Sequence, residues 1–248
     1  MDLKEFFRQH PKAAIAFSGG VDSSYLLYAA LQCGADVRAY YVKGAFQPQF
    51  ELDDAQRLAR DIHAPMTVLR ADVLRDETVT ANPANRCYYC KKVVFSSIAQ
   101  AALADGYTVL LDGTNASDDA GDRPGMRALQ ELQVLSPLRL CGLTKPEIRR
   151  LSKEARLFTW DKPAYACLAT RIPTGEKIIA EKLSATESAE GELFAMGFTD
   201  FRVRWYAGAA RLQFPTVQLP RVLERREEIL TKLKKYYPAV LLDLEVRG

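Results

Sequence analysis

The segment from Ala14 to Ser24 constrains the fold more than any other part of the sequence, because it joins an apolar strand pattern to a glycine turn and a helix start. The apolar run Ala13 to Phe17 predicts a buried strand. Gly19 and Gly20 allow the backbone to approach an anion, since glycine has no side chain and tolerates positive φ. A helix that begins near Asp22 directs its free N–H groups and the positive end of its dipole at the same place. The turn is therefore predicted to bind phosphate.

We predict that this turn holds ATP through a continuous run of residues: Ser18, Gly19, Gly20, Val21, Asp22, Ser23 and Ser24. It is not a Walker A loop, because it lacks that motif's lysine. Without the lysine it is less suited to a transferring γ-phosphate, and it fits a pyrophosphate that leaves as one piece. The run resembles the PP-loop of the ATP pyrophosphatases, which adenylate a carbonyl or carboxyl oxygen and release pyrophosphate. The alternative is a strand–turn–helix that binds no ligand.

Composition excludes several broad classes of protein. The 248 residues are 48% hydrophobic and 26% charged, which is ordinary for a globular protein. The formal charge of +3 is too small to indicate nucleic-acid binding and suits a small anionic substrate. The sequence contains no run of 18 apolar residues, so no membrane span is predicted. The charged start Met1 to Glu5 is unlike a signal peptide. We expect a cytoplasmic protein that binds neither membranes nor nucleic acid.

The order of strand and helix patterns predicts an α/β fold. Residues 1–165 alternate between the two patterns, which favours a PP-loop-type parallel sheet with helices on both faces. The stretch Thr159 to Gly175 contains two prolines and no clear periodicity, so we place a boundary there. Residues 166–248 are predicted to form a small α+β domain. The predicted strands are 13–17, 37–42, 66–69, 109–112, 201–205, 210–214 and 240–246, and the longer helices are 22–33, 50–63, 86–105, 143–156, 176–196 and 220–235.

A second nucleotide signal follows the predicted strand 109–112. Ligands of open α/β sheets bind beyond the carboxyl ends of the strands, so this turn is expected at the same edge as the PP-loop. Gly113 allows close approach and Thr114 offers a hydroxyl; the alternative is a routine strand-to-loop turn. Asp22 or Asp118 is predicted to help bind Mg²⁺, which prefers hard oxygen ligands and phosphates. The Asp- and Gly-rich stretch 118–125 predicts a mobile loop beside the site.

The five cysteines have to be considered one by one, because an odd number without an export signal argues against a disulfide framework. Cys87 and Cys90 form a CxxC at the start of a predicted helix, where a thiolate is stabilised. The pair is compatible with redox, zinc or iron–sulfur chemistry, although a zinc site needs about four ligands. Cys33 and Cys141 are predicted to be structural.

Cys167 lies in a segment that is stiffened by Pro163 and Pro173. Arg171, four residues further on, has a guanidinium that can hold a phosphate through two hydrogen bonds. Arg202 and Arg204 alternate along a predicted strand, so both side chains can point towards one site. The alternatives are a small buried cysteine and, for the two strand arginines, a solvated strand face.

Four segments together resemble the LarE family, the ATP-dependent sulfur transferases (sulfur insertases) of nickel-pincer nucleotide biosynthesis. They are the PP-loop, Asn85 to Lys92, Asp112 to Asn115, and Pro163 to Arg171. The PP-loop specifies only the superfamily, whereas its combination with CYYCKK and CLATR is much more specific. The resemblance covers the whole chain. It implies that ATP adenylates a carboxylate of pyridinium-3,5-biscarboxylic acid mononucleotide, and that a cysteine-linked sulfur displaces AMP to give a thiocarboxylate.

The resemblance also implies the roles of individual residues. Cys167, Cys87, Cys90 and Asp22 are expected to be catalytic, and the three arginines to bind the substrate phosphate. In one version of the family a lone cysteine, here Cys167, gives up its own sulfur; in the other, three cysteines hold a [4Fe–4S] cluster that carries an extra sulfide. The cluster is favoured here, because the chain has all three cysteines. The resemblance further implies that residues 1–165 bind ATP and that residues 166–248 serve substrate binding, sulfur transfer and oligomerisation. A homo-oligomer, and transfer of product to a nickel-inserting protein of the same pathway, are further expectations.

Three other functions remain open from the sequence. A tRNA thiolase also pairs a PP-loop with cysteines, but it needs a basic RNA-binding surface that is not obvious here. An ammonia-using ligase leaves the CxxC and Cys167 unexplained. A nucleotide-binding iron–sulfur protein without turnover is the non-enzymatic alternative, and substrate-dependent release of pyrophosphate distinguishes it from an enzyme.

Overall fold

A computed structural model of the chain describes residues 1–118 and 124–246. Of the predicted mobile loop 118–125, residues 119–123 lie outside the described residues. The helices are α1 Leu3–Gln9, α2 Val21–Gln32, α3 Gln49–Asp61, α4 Glu77–Thr80, α5 Arg86–Ala104, α6 Pro124–Glu131, α7 Pro137–Leu140, α8 Lys145–Glu154, α9 Ala180–Ala195, α10 Leu219–Glu224 and α11 Arg226–Leu233. The strands are β1 Lys12–Ala16, β2 Asp36–Lys43, β3 Met66–Arg70, β4 Leu110–Leu111, β5 Arg202–Tyr206, β6 Ala209–Gln213 and β7 Val240–Leu242. Short 3₁₀ turns occur at Val73–Arg75, Phe158–Asp161, Leu168–Arg171 and Thr216–Gln218.

The chain divides into two compact units. Unit 1 contains residues 1–73 and 85–162, and unit 2 contains residues 74–84 and 163 onwards. The short segment 74–84 is bonded within unit 2, where the buried Asn82 side chain donates to the carbonyls of Pro173 and Glu176 at 2.7 and 3.2 Å. The assignment of separate functions to residues 1–165 and 166–248 stays a prediction.

Unit 1 contains the predicted parallel sheet, in the strand order β3-β2-β1-β4. Neighbouring residues of one strand face opposite cores, as the period of two requires. Ala13 and Ile15 of β1 belong to one buried cluster with Leu26 of α2, while Ala14 belongs to a second cluster with Phe95 of α5. Helices therefore cover both faces of the sheet, and the predicted α/β fold with a PP-loop-type sheet is confirmed.

Unit 2 contains a three-stranded sheet in the order β5-β6-β7, with β5 antiparallel and β7 parallel to β6. Its core is rich in aromatic side chains, among them Phe198, Phe201 and Phe214. The single helix predicted over 220–235 is wrong: the backbone opens at Arg225 (φ −101°, ψ 18°), between α10 and α11. The Arg225 guanidinium donates to the carbonyl of Met196 at 2.7 Å, and a cation at the end of α9 is favourable.

Over the described ranges 1–118 and 124–246, no helix combines the length and apolar character needed to cross a membrane.

Candidate active site

The PP-loop of unit 1 connects β1 to α2, as predicted. Gly19 has a φ of +73°, and a Cβ atom at this position would lie 3.0 Å from the Cβ of Ala55 in α3. Both facts require glycine here, since other residues rarely adopt that φ and the space is already filled. Gly20 precedes the first residue of α2 in an extended conformation, and no side chain caps this helix end. The free N–H groups of the first turn are therefore available to an anion.

Two serine hydroxyls of the loop are hydrogen-bonded to each other. Ser18 Oγ lies 3.1 Å from Ser23 Oγ, and the Ser23 hydroxyl lies 3.2 Å from the carbonyl oxygen of Gly20. Ser24 is fully buried, and its hydroxyl has no hydrogen-bond partner among the described residues. Val21 packs its side chain into the core, so only its main chain is open to a ligand. Phosphate contacts through these residues stay predictions, and the arrangement favours main-chain donors for Val21.

The turn after β4 lies directly against the PP-loop, as predicted from the position of both turns at the carboxyl ends of parallel strands. A Cβ on Gly113 would lie 2.9 Å from the backbone nitrogen of Ser23, so the two segments touch through main-chain atoms. Thr114 donates its hydroxyl to Asp112 Oδ2 at 2.5 Å, and Ser136 donates to Asp112 Oδ1 at 2.6 Å. The buried Asp112 carboxylate thus fixes this turn.

A charged pair lies at the start of α2. Lys145 Nζ is 2.5 Å from Asp22 Oδ2, and Asp22 Oδ1 is buried without a hydrogen-bond partner in the described parts of the chain. Burial raises the pKa of the Asp22 carboxyl; the bond to Lys145 opposes this shift, and the nearby charge of Asp118 adds to it. The structure thus brings Asp22 and Asp118, the two predicted Mg²⁺ ligands, close enough to interact. An orphaned carboxylate oxygen beside a second carboxylate fits a hard divalent cation.

Lys145 is absent from the residues predicted from sequence. It is the first residue of α8, after the Thr144 cap and within the capping box completed by Glu147. A cation at a helix N-terminus opposes the helix dipole. From the sequence, this unfavourable position was the signal that Lys145 has a role other than stabilising its own helix.

The CxxC begins α5, as predicted. Cys87 is exposed and Cys90 is half-buried. The guanidinium of Arg86 approaches Cys87 Sγ at 4.0 Å. Lys92, two residues after Cys90, pairs with Glu131 of α6 at 3.0 Å. Arg86 and the helix N-terminus place positive charge next to Cys87.

The remaining two cysteines of unit 1 have different surroundings. Cys141 packs against the main apolar cluster, and Cys33 ends α2. Burial raises the pKa of both thiols, which disfavours thiolate chemistry at these positions.

The Cys167 segment of unit 2 is held by three arginines that donate to its main chain. Arg171 Nη1 donates to the carbonyl of Ala166 at 2.7 Å, Arg202 to that of Ala164 at 2.5 Å, and Arg204 to that of Thr170 at 2.7 Å. We call these three residues the arginine cradle. The cradle fixes the backbone on both sides of Cys167. Cys167 itself is half-buried.

Glu190 of α9 anchors the arginine cradle through a hydrogen bond to one of its members, Arg171. Its carboxylate accepts from Arg171 Nε at 2.9 Å and from the backbone nitrogen of Val203 at 3.0 Å, and it also accepts the Tyr165 hydroxyl. The side chain of Arg171 is 0% exposed and that of Glu190 is 2% exposed. Burial and the charge of Glu190 raise the pKa of the Tyr165 hydroxyl. The three arginines were predicted to bind the substrate phosphate; that role stays a prediction, and the structure gives all three a structural one.

Replacing Glu190 tests this anchor. Glu190→Ala leaves a buried guanidinium without its counter-charge, so we expect the free energy of unfolding in urea to fall by about 3–5 kcal/mol. Glu192→Ala, in the same helix, removes a partly exposed carboxylate paired with Lys232; here we expect a much smaller loss, because solvent screens such a pair. Equal losses in the two variants would contradict the anchoring role of Glu190.

Three thiols were predicted to bind a [4Fe–4S] cluster. Cys87 and Cys90 belong to unit 1, and Cys167 belongs to unit 2. Among the residues that the structure describes, no group of three or more His, Cys, Asp or Glu side chains is arranged to hold a metal ion. Binding of a cluster by these three thiols stays a prediction.

Comparison with known proteins identifies the family. No family model matches the chain. An uncharacterised protein of Synechocystis sp. is 36% identical over 98% of this chain and 92% of its own length. Pyridinium-3,5-bisthiocarboxylic acid mononucleotide synthase of Lactiplantibacillus plantarum is 30% identical over 94% of this chain and 86% of its own length. The chain belongs to the LarE family. It is thus an enzyme of the sulfurtransferase class.

More distant relatives agree with the LarE assignment at the level of the superfamily. The tRNA-specific 2-thiouridylase MnmA of Thermotoga neapolitana is 25% identical over 58% of this chain and 52% of its own length. The resemblance expected from the PP-loop, the CxxC and the Cys167 segment is confirmed by the LarE relative, which matches nearly the whole chain.

Proposed function

We propose that this chain uses ATP to convert the carboxylates of pyridinium-3,5-biscarboxylic acid mononucleotide into thiocarboxylates. The match to a synthase of the corresponding bisthiocarboxylic acid along 94% of the chain carries this proposal. The contact between the PP-loop and the Gly113 turn supports ATP binding at this edge of the sheet. The small net charge agrees with a small-molecule substrate.

The first step activates a poor electrophile. A carboxylate oxygen of the substrate attacks the α-phosphorus of ATP, and the bond to the bridging oxygen breaks with its electron pair leaving on pyrophosphate. Backbone N–H groups of the PP-loop, with Gly113 close behind them, bind the phosphates. Asp22 and Asp118 would hold Mg²⁺, which neutralises phosphate charge when bound.

The second step forms the carbon–sulfur bond. A thiolate-level sulfur, either that of Cys167 or a sulfide delivered by a cluster, attacks the acyl adenylate carbon, and AMP leaves with the electron pair of the broken C–O bond. If the sulfur is that of Cys167 itself, loss of the Cα proton and cleavage of the Cβ–S bond release the thiocarboxylate and leave dehydroalanine. If Cys87, Cys90 and Cys167 held a [4Fe–4S] cluster, the transferred sulfur would be an extra sulfide carried by the cluster. The cysteines would keep their own sulfur, and each further turnover would require a new sulfide from an external donor. Two rounds produce the bisthiocarboxylate for a nickel-inserting partner.

The arginine cradle has a defined part in this step. Its bonds run to carbonyl oxygens on both sides of Cys167, so the sulfur is presented from a fixed backbone. Holding a nucleophile in the right geometry accounts for a large part of enzymatic rate enhancement. This proposal does not require the three guanidinium groups to touch the substrate.

Release of pyrophosphate tests the proposed reaction. We expect anaerobically purified protein to form AMP and pyrophosphate from ATP and Mg²⁺ only when the biscarboxylic mononucleotide is added. A mass spectrum of that substrate should then show exchange of oxygen for sulfur. Release that depends on tRNA instead would favour the 2-thiouridylase alternative, and no release with either substrate would favour a binding protein.

Analysis of iron and acid-labile sulfide separates the two sulfur sources. About four irons per chain, lost on Cys87→Ala, Cys90→Ala or Cys167→Ala, would indicate a three-cysteine cluster. Absence of iron after reconstitution, together with loss of one H₂S from the protein mass after turnover, would assign the sulfur to Cys167.

A further inference from the structure

Lys162, the last residue of unit 1, is held by the first two turns of α3. Its ammonium lies 2.8 Å from Asp54 Oδ2 and 3.2 Å from Glu51 Oε2, and 5.7 Å from the centre of the Phe50 ring. The side chain of Lys162 is 14% exposed and that of Glu51 is 12% exposed. Lysine is rarely covered to this extent unless it is paired. We call this contact of Lys162 with the two carboxylates the Lys162 clamp.

The main chain around Lys162 is held as well. The guanidinium of Arg149, in α8, donates to the carbonyl of Trp160 at 2.6 Å and to that of Lys162 at 2.9 Å. The backbone N–H of Lys162 donates to the carbonyl of Thr159 at 3.1 Å. The N–H, the carbonyl and the ammonium of Lys162 therefore all have partners within unit 1, and the chain leaves this unit from a fixed point.

Helix α3 connects the clamp to the PP-loop. Ala55 follows Asp54 in this helix, and a Cβ atom on Gly19 of the PP-loop would lie 3.0 Å from the Cβ of Ala55. One helix thus contacts both the PP-loop and the residue from which the chain leaves unit 1. A change at the clamp can therefore alter this exit point while the PP-loop keeps its support.

The stability of α3 does not explain the clamp. Glu51 and Asp54 are three residues apart, so they are neighbours on the helix surface, where like charges repel. Burial raises the pKa of the Glu51 carboxyl; the Lys162 ammonium opposes this shift, and the charge of Asp54 adds to it. A buried ion pair is weak evidence for a gain in stability, because desolvation offsets much of the attraction. The position of Lys162 in the chain indicates a different role.

Cys167 follows Lys162 by only five residues. Five residues reach at most about 18 Å, even when fully extended. The first of them is Pro163, whose ring fixes its φ near about −65°. A proline also favours an extended conformation in the residue before it, and Lys162 has a φ of −53° and a ψ of 124°. The Cys167 segment therefore starts from the clamp as a short and stiff stretch of chain.

We propose that Lys162 is a positioning residue for the sulfur-transfer step. The proposal rests on the proposed function and adds one residue to its second step. The clamp ties the start of the Cys167 segment to the helix that supports the PP-loop, so that sulfur reaches the acyl adenylate before water does. This role requires no contact between Lys162 and the substrate, and the ammonium keeps its proton. Without the clamp, water attacks the adenylate carbon, and AMP leaves from a substrate that regains its carboxylate.

Four variants of the full chain test this role. Lys162→Met removes the ammonium, and Lys162→Arg retains a cation. The double variant Lys162→Met/Glu51→Gln also removes the buried carboxylate that the single variant leaves without a counter-charge, so the test holds even if the single variant folds poorly. Lys12→Met is the matched control, because Lys12 pairs with Asp36 at 3.8 Å and lies at the end of β1 opposite the PP-loop.

AMP and thiocarboxylate are measured in the same single turnover with ATP and the biscarboxylic mononucleotide. In Lys162→Met and the double variant we expect AMP formation within about twofold of wild type and thiocarboxylate formation about 10–10²-fold slower, because a displacement of about 1 Å can cost about 10²-fold. Lys162→Arg should restore part of this loss, and Lys12→Met should match the wild type. Equal loss of both products, or an unchanged rate of thiocarboxylate formation, would overturn the role of Lys162.

Amide hydrogen exchange gives a second readout that does not require turnover. The N–H of Trp160 donates to the carbonyl of Leu157 at 3.1 Å, so its protection reports local opening of the segment that leads to the clamp. We expect protection to fall by about tenfold in Lys162→Met and in the double variant, and to be unchanged in Lys12→Met. Unchanged protection in both clamp variants would overturn the clamp. A wild-type protein that forms no AMP would overturn the proposed function instead, and exchange would still decide whether Lys162 fixes this segment.

Discussion

Cys167→Ala is expected to abolish formation of the thiocarboxylate and to leave adenylation within about twofold of the wild-type rate. Both proposed sulfur sources require this thiol, because it either gives up its own sulfur or completes the cluster. The variant should fold, since the arginine cradle donates to carbonyl oxygens of the loop, which alanine retains. The thiocarboxylate is measured by mass spectrometry, and AMP by chromatography of the same samples.

Cys33→Ala is the matched control for this change. It removes a thiol whose pKa is raised by burial, at the end of α2 and outside the proposed chemistry. Both activities should persist in that variant. Thiocarboxylate formed by Cys167→Ala at the wild-type rate would show that sulfur reaches the acyl adenylate by another route. Parallel loss of AMP and thiocarboxylate would mean that Cys167 acts before the sulfur step.

The sequence was sufficient to predict the parts of the fold that rest on local patterns. Alternation of side chains in Ala13, Ala14 and Ile15 places neighbours in opposite cores, which is what a strand covered on both faces requires. The predicted helix 143–156 is present as α8, Lys145–Glu154, and it begins with a capping box of Thr144 and Glu147. The contact of Gly113 with the PP-loop follows from the rule that the carboxyl ends of parallel strands share one edge.

The parts that were missed depend on contacts between distant segments. Arg202 and Arg204 were correctly placed on one strand, but their acceptors are the carbonyls of Ala164 and Thr170, which lie 38 and 34 residues earlier in the chain. No periodicity reveals such acceptors, because main-chain oxygens are the same in every residue. The assignment of the segment 74–84 to unit 2 was missed for the same reason, because Asn82 also donates to a main-chain carbonyl of a distant segment.

Arg171 illustrates how the same chemistry supports two interpretations. A guanidinium four residues from a thiol matches a phosphate ligand in sequence, yet here it binds the carboxylate of Glu190 and two loop acceptors. Both roles use the planar fork of donors. In this structure the side chain of Arg171 is 0% exposed and meets protein acceptors, so its structural role is visible and its phosphate role stays a prediction.

Asp22→Asn is expected to lower AMP formation by about a thousandfold without destabilising the fold. Loss of a metal-binding carboxylate removes several kcal/mol of charge stabilisation in the transition state, and about 1.4 kcal/mol corresponds to a factor of ten in rate. Because burial raises the pKa of Asp22, the folded chain holds its proton more tightly than the unfolded chain, so ionised Asp22 opposes folding at neutral pH. The neutral amide should therefore leave the urea midpoint unchanged or higher.

Asp61→Asn is the control, because it removes an exposed partner of Arg57. It should leave the rate of AMP formation and the urea midpoint unchanged. Retention of AMP formation in Asp22→Asn would remove Asp22 from the reaction.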